Sequence, residues 1–172
     1  MSPIVTGAGV DLAYAEHGAG APILLIHGLA ADHEALAPLA AEVAQNAPGS
    51  RVIAYSRRGY DGSGVPEPYL GTTAAEQTED AAAVLRGLDM TGALVAGDGF
   101  GALIALDLLL RHGDLVRGAV LADPPLYALA PDATRELADW HEGLREAVAD
   151  GGPAAGVAAH LAGRGTDADR AR

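Results

Sequence analysis

At 172 residues, 49% of them hydrophobic and none of them cysteine, the chain has material for one α/β core and none for disulfides, thiolate catalysis or cysteine-ligated metal. Its 23 acidic residues against 11 basic ones leave a net charge of −12, which disfavours binding to nucleic acid or an anionic membrane through a broad basic face. No apolar run approaches the ~20 residues that span a bilayer, and Met1-Ser2-Pro3-Ile4 lacks a basic-then-apolar leader, so a cytoplasmic protein is expected.

In chain order, Thr6-Gly7-Ala8-Gly9 reads as a hairpin-like turn into a strand over Val10 to Glu16, and His17-Gly18-Ala19-Gly20 turns it toward the next. Residues 22 to 27 are nearly all apolar, as in a strand buried on both faces. A helix is expected from about Pro38, whose missing N–H is tolerated in a first turn, to the break at Pro48-Gly49. Residues 51 to 55 form a further strand, and Gly59 to Gly71 a long loop rich in Gly and Pro. Thr73 with Glu76 three residues later is a capping-box pattern, predicting a helix through about Arg86 that Gly87 ends.

The run Ala93 to Ala96 is a short apolar strand, and residues 99 to 111 are apolar on nearly every side, as expected of a helix packed centrally against a sheet. Ala119 to Ala122 is another strand, ended by Asp123-Pro124-Pro125. Thr134 to Ala149 and Ala154 to Ala162 read as two helices separated by Asp150-Gly151-Gly152-Pro153. Strands and helices alternate, the order that builds a mostly parallel sheet covered on both faces.

Between the strand at 93–96 and the helix after it stands Gly97-Asp98-Gly99-Phe100-Gly101. Small residues at 97, 101 and 102 suit the sharp strand-to-helix bend that lifts a serine in a G-x-S-x-G motif, but the serine position holds Gly99. A hydrogen atom cannot attack a carbonyl, so covalent catalysis of that kind is closed to this chain.

With this bend, two further stretches carry a resemblance. Ile23-Leu24-Leu25-Ile26-His27-Gly28-Leu29 looks like a strand and "HG" loop, and Arg51 to Ser63 is similar to a strand followed by D-R-R-G-x-G-x-S, with Ser56 in place of the Asp. In order and spacing the three motifs resemble the α/β-hydrolase family over roughly residues 3 to 125. The resemblance implies an α/β-hydrolase-like core over 1–125 and a partial helical lid over 126–172, where the chain stops. It also implies an oxyanion site, with His27, Gly28, Leu29 and Phe100 as its residues: the N–H groups of Leu29 and Phe100 converge on one point, the second at a helix start. His27 then orients its loop.

Asp98 invites comparison with the aspartate nucleophile of the haloalkane-dehalogenase and epoxide-hydrolase relatives. That register puts Phe100 where the bend wants a small residue, whereas Gly99 at the centre places Gly97 and Gly101 symmetrically around it. Otherwise Asp98 is a partly buried carboxylate hydrogen-bonded to backbone or to Arg57 or Arg58. Asp123 follows a strand end, where some members of the family place their triad acid. His33 could face the pocket; His17, His112, His141 and His160 are expected at the surface. No metal site and no cofactor is expected, since no histidine pair has the i, i+4 spacing around a Glu.

The family usually continues past the lid into strands that carry the triad histidine, and nothing here corresponds to them. Strand 119–122 is then an open edge, and three accounts compete: the chain is a fragment, a second copy or other partner covers the edge, or the lid folds over it. The expected function is the binding of a small carbonyl or carboxylate compound with little or no hydrolysis. The alternatives are an esterase-like hydrolase seen as an incomplete or inactivated chain, and a degenerate paralogue with a structural role. Trp140, Tyr127 and Leu126 are candidate apolar walls, or ordinary packing between lid and sheet.

Overall fold

Six strands form one sheet: β1 (Ile4–Thr6), β2 (Asp11–Gly18), β3 (Ala21–Ile26), β4 (Ser50–Tyr55), β5 (Ala93–Asp98) and β6 (Val116–Ala122), in spatial order β1-β2-β4-β3-β5-β6. The structure of the protein, a computed structural model, describes residues 2–69, 71–126 and 133–164. β1 and β2 pair antiparallel, β2 joins β4 antiparallel, and β4, β3, β5 and β6 run parallel.

The period-2 alternation of the strands sorts their side chains onto two faces. Leu24, Ile26, Ile53, Tyr55 and Val95 point to one face, where they meet Ala81, Val84 and Leu85 of α2 (Ala74–Gly87) and Ile104, Ala105 and Leu108 of α3 (Phe100–Arg111). Leu25, Val52 and Ala54 point to the other, against Ala40, Leu36 and Val43 of α1 (His33–Asn46). Helices therefore cover both faces, as the alternation of elements in the sequence requires.

α1 begins five residues before Pro38. Asp32 has extended backbone and its Oδ1 accepts the Ala35 N–H at 2.8 Å, so the cap is an aspartate that the sequence reading passed over in favour of the proline. Pro38 lies inside the helix on an exposed position. α2 is capped as its sequence predicts, with Thr73 Oγ1 accepting the Glu76 N–H and Glu76 accepting the Thr73 N–H at 2.8 Å.

The chain divides into two compact units, Met1–Pro125 and Leu126–Arg172. Within the second, α4 (Ala133–Arg164) is broken at Gly152, whose φ of 72° and ψ of −171° interrupt the helical path where Asp150-Gly151-Gly152-Pro153 predicts a break. Trp140 before the break lies edge-on to His160 after it, their ring centroids 5.7 Å apart. His160 is thus buried rather than a surface histidine, because the indole covers it. His112 is also corrected: it is half-buried, its Nε2 3.1 Å from Glu79 Oε1. Tyr127 and residues 165–172 lie outside the described residues.

Candidate functional site

β3 sits between β4 and β5; the chain leaves it through α1 toward β4, and leaves β5 through α3 toward β6. The crevice beyond the carboxyl ends of β3 and β5 is thus the point where the winding reverses, the usual ligand position in open α/β sheets. Gly28-Leu29 and Gly99-Phe100 both lie there.

The two turns are pressed together. A Cβ built on Gly28 would stand 2.9 Å from Asp98 Oδ2 and 3.0 Å from Asp98 O, and one on Gly101 would collide with Ile26 O and stand 2.7 Å from His27 O. A Cβ on Gly97 would strike the Gly101 carbonyl and lie 2.6 Å from Ala102 N. Only glycine lets the helix start approach the strand this closely.

At the bend, Gly99 has φ 52° and ψ −117°, outside the regions open to ordinary L residues. It is buried, its N–H donates to Ala122 O at 2.9 Å, and its carbonyl accepts the Ala102 N–H at 3.0 Å. Ala30 (φ 57°) after β3 and Asp123 (φ 46°) after β6 are also left-handed, so three residues in sparsely populated conformations gather at the carboxyl ends of neighbouring strands. Such clusters accompany functional sites because the surrounding structure must hold them there.

Among the described residues, neither the Leu29 nor the Phe100 N–H donates to another group. Phe100 opens α3, whose first-turn N–H groups have no helical acceptor. Asp98 and Asp123 are both exposed and stand on adjacent strand ends, β5 and β6 pairing Asp98 with Ala122. The expectation of a partly buried Asp98 is corrected, since the residue is exposed, and the Arg57 and Arg58 guanidinium groups donate hydrogen bonds to other partners.

His27 is buried beneath the crevice. Its Nε2 lies 3.0 Å from the Arg57 backbone N and accepts that N–H, so the ring proton is on Nδ1, which donates to Gly28 O at 2.8 Å. Burial and the positive charge of Arg57 hold its pKa down to about 3, so the ring is neutral near neutral pH and its two nitrogens bond the loop after β3 to the loop after β4. His33, a candidate for facing the pocket, is instead buried and fixed: Nδ1 is 2.6 Å from Ser56 Oγ and Nε2 2.9 Å from Ser2 Oγ. Ser56 therefore serves as the partner of His33.

Two adjacent arginines that sequence reasoning left without roles are buried in the loop after β4. Arg58 forms a two-pronged pair with Asp80, Nε–Oδ2 2.6 Å and Nη2–Oδ1 2.8 Å, and that bond raises its pKa further. Arg57 has no carboxylate partner among the described residues: Nη1 donates to Gln77 Oε1 at 2.7 Å, and Nη2 to Gly28 O at 2.8 Å and Tyr60 Oη at 2.9 Å. Its guanidinium carbon lies 4.5 Å from the Tyr60 ring centroid and 5.2 Å from that of Phe100. The paired arginines in the sequence were the available signal, but nothing in it separates the ion-paired one from the other.

Among the described residues no three His, Asp or Glu side chains are grouped to hold a metal ion, and no helix is long and apolar enough to cross a membrane. Residues 21–157 match the family model described as "alpha/beta hydrolase fold". The chain is 31% identical over 121 residues to the uncharacterized hydrolase YraK of Bacillus subtilis, covering 70% of this chain and 44% of that protein. It is 34% identical over 118 residues to the putative non-heme bromoperoxidase BpoC of Mycobacterium tuberculosis, covering 65% and 41%. Among solved structures it is similar to an alpha/beta hydrolase from Sphaerobacter thermophilus, with a TM-score of 0.71 and 26% identity over 92% of this chain and 59% of that one. The chain thus spans under half the length of these two curated relatives.

Proposed function

The chain belongs to the α/β-hydrolase fold family, and on that footing we propose that it binds a small carbonyl or carboxylate compound at the crevice between β3 and β5 with little or no hydrolysis. The observation that carries the reading is Gly99: a bend of the shape that presents a nucleophile, at φ 52° and ψ −117°, with no side chain on it. In this reading the N–H groups of Leu29 and Phe100 form the oxyanion pair. They belong to the backbone and do not depend on a serine. Asp98 and Asp123 stand at the rim as carboxylates, neither acting as nucleophile. Any turnover is bounded by the ~10³ to 10⁴-fold over water that binding and an oxyanion site leave when a triad member is lost. A cytoplasmic setting and a small-molecule ligand complete the reading.

A second reading, an esterase-like hydrolase seen as an incomplete or inactivated chain, draws support from the hydrolase named among its relatives and from the short span of the match. In either case a partner strand suits β6: among the described residues it pairs only with β5, and Val120 on it is 63% exposed.

The test uses sodium butyrate and 4-nitrophenyl butyrate. Titration of butyrate into ¹⁵N-labelled protein is expected to shift the Leu29 and Phe100 amide signals saturably, and the ester to give no stoichiometric burst of nitrophenol. A burst would refute the vacancy at Gly99. Silent Leu29 and Phe100 signals would refute the ligand site, and a longer natural product of the gene, with a histidine beyond Arg172, would move the weight to the hydrolase.

A further inference from the structure

The Gly28 carbonyl takes two donors at once, His27 Nδ1–H at 2.8 Å and Arg57 Nη2–H at 2.8 Å. Both come from side chains buried beneath the loop. The Gly28–Leu29 peptide is trans, and in a trans peptide the C=O and the following N–H point in opposite directions across one rigid plane. Fixing the carbonyl inward therefore fixes the Leu29 N–H outward.

We propose that Arg57 is the positioning residue of the oxyanion pair: by holding Gly28 O from below while its guanidinium lies against the Phe100 ring, it sets the Leu29 and Phe100 peptide units relative to each other. This inference rests on the ligand reading above for what the two N–H groups do, but the orientation it assigns exists without ligand.

Three observations separate this role from ordinary packing. Arg57 is 1% exposed, and a buried guanidinium without a carboxylate is an expensive way to fill space. Its neighbour Arg58, also buried, has Asp80 and, at 3.9 Å, Glu76, both on α2, so counter-ions stand beside the arginine whose charge is only being stored. Furthermore, Arg57 Nε–H has no partner among the described residues, which leaves the group under-satisfied for a structural anchor while the two N–H bonds of Nη2 go to Gly28 O and Tyr60 Oη. The arrangement closes on itself, because the Arg57 backbone N–H fixes the His27 tautomer whose Nδ1–H is the second donor to Gly28 O.

The experiment measures residual dipolar couplings of backbone amides in ligand-free native protein and in Arg57→Met and Arg57→Lys. In Arg57→Met the Leu29 coupling is expected to leave its native value while those of Ile26 and Val95, in the strands, keep theirs. Butyrate is expected to bind roughly tenfold more weakly, the equivalent of one hydrogen bond to a charged group at the low end of its range. Lysine cannot serve Gln77, Tyr60 and Gly28 together, so Arg57→Lys is expected to show a smaller departure at the same amide, and it decides the matter if Arg57→Met does not fold. A folded variant with the native Leu29 coupling overturns the proposal, as does a change spread evenly over Tyr60, Gln77 and Phe100 without singling out Leu29. If butyrate leaves the native amides unmoved, the ligand reading fails alone, since the coupling is read without ligand.

Discussion

The loop after β4 and the bend after β5 flank β3 at the same end of the sheet, yet they are held by opposite means. The first is held by side chains: Arg57, Arg58, Ser56 and Ser63 each make hydrogen bonds there, and His27 and His33 reach into it from the β3 side. The second is held by the absence of side chains, with Gly97 and Gly101 admitting backbone to contact and Gly99 taking a conformation that a Cβ opposes. A site assembled from both has a polar scaffold on one side and a steric one on the other. Damage to the first should appear as unpaired charge, damage to the second as overlap.

The largest effect is expected from removing a counter-ion on the polar side. Asp80→Leu would leave the buried Arg58 guanidinium with only the exposed Glu76 carboxylate, 3.9 Å away, and the Ala8 N–H without the Oδ1 it donates to at 2.9 Å. Loss of one partner from a buried pair costs about 3–5 kcal/mol, which should appear as a large drop in the urea midpoint at unchanged slope. A loss under about 1 kcal/mol, the range of exposed pairs, would mean that Arg58 reaches water or is compensated by Glu76, and that the polar scaffold is weaker than the Asp80 geometry implies.

On the steric side, Gly101→Ala puts a methyl group against the carbonyl oxygens of Ile26 and His27, neither of which can turn away without shifting β3 or α3. A destabilisation of about 3 kcal/mol, at the upper end for overpacking, is expected in the same assay. Gly143→Ala, on the second unit and with nothing within 4 Å of an added Cβ, is the matched control and should be neutral or slightly stabilising. Equal effects at the two positions would dissolve the contrast.

What the sequence disclosed follows the same division. The apolar runs of β3 and β5, the Thr73–Glu76 box and the glycine spacing about residue 99 are local signals, and each corresponds to an element where it was expected. The start of α1 was misplaced because Asp32 and Pro38 both carry helix-start chemistry, and only the backbone shows which one caps. The partnerships within the site were not legible: Arg58 with Asp80 is 22 residues apart, His33 with Ser56 is 23, and Arg57 with Gly28 is 29. The last two depend on β3 and β4 lying in register and the first on α2 lying against the loop after β4, which no local pattern states. Surface placement of His160 failed for a related reason, since a helix break decides that Trp140 folds onto it.

The smallest expected effect is also the most specific to the polar scaffold. His27 is neutral in the folded chain, its pKa lowered from 6.5 to about 3, first by burial and then by the charge of Arg57. As the pH falls below 6.5 the unfolded chain takes up a proton that the folded chain refuses until about 3, so stability conferred by the neutral ring is present above 6.5 and is lost through that window. Between pH 7 and pH 5, above the carboxylate range, this linkage amounts to about 2 kcal/mol. Urea unfolding at pH 7, 6 and 5 should show that loss in the native chain and a flatter profile in His27→Gln, whose side chain does not titrate. Should the two profiles run parallel, His27 would be taking up its proton in the folded state, the Nε2 that receives the Arg57 N–H would be protonated, and the inward hold on Gly28 would have to come from Arg57 alone.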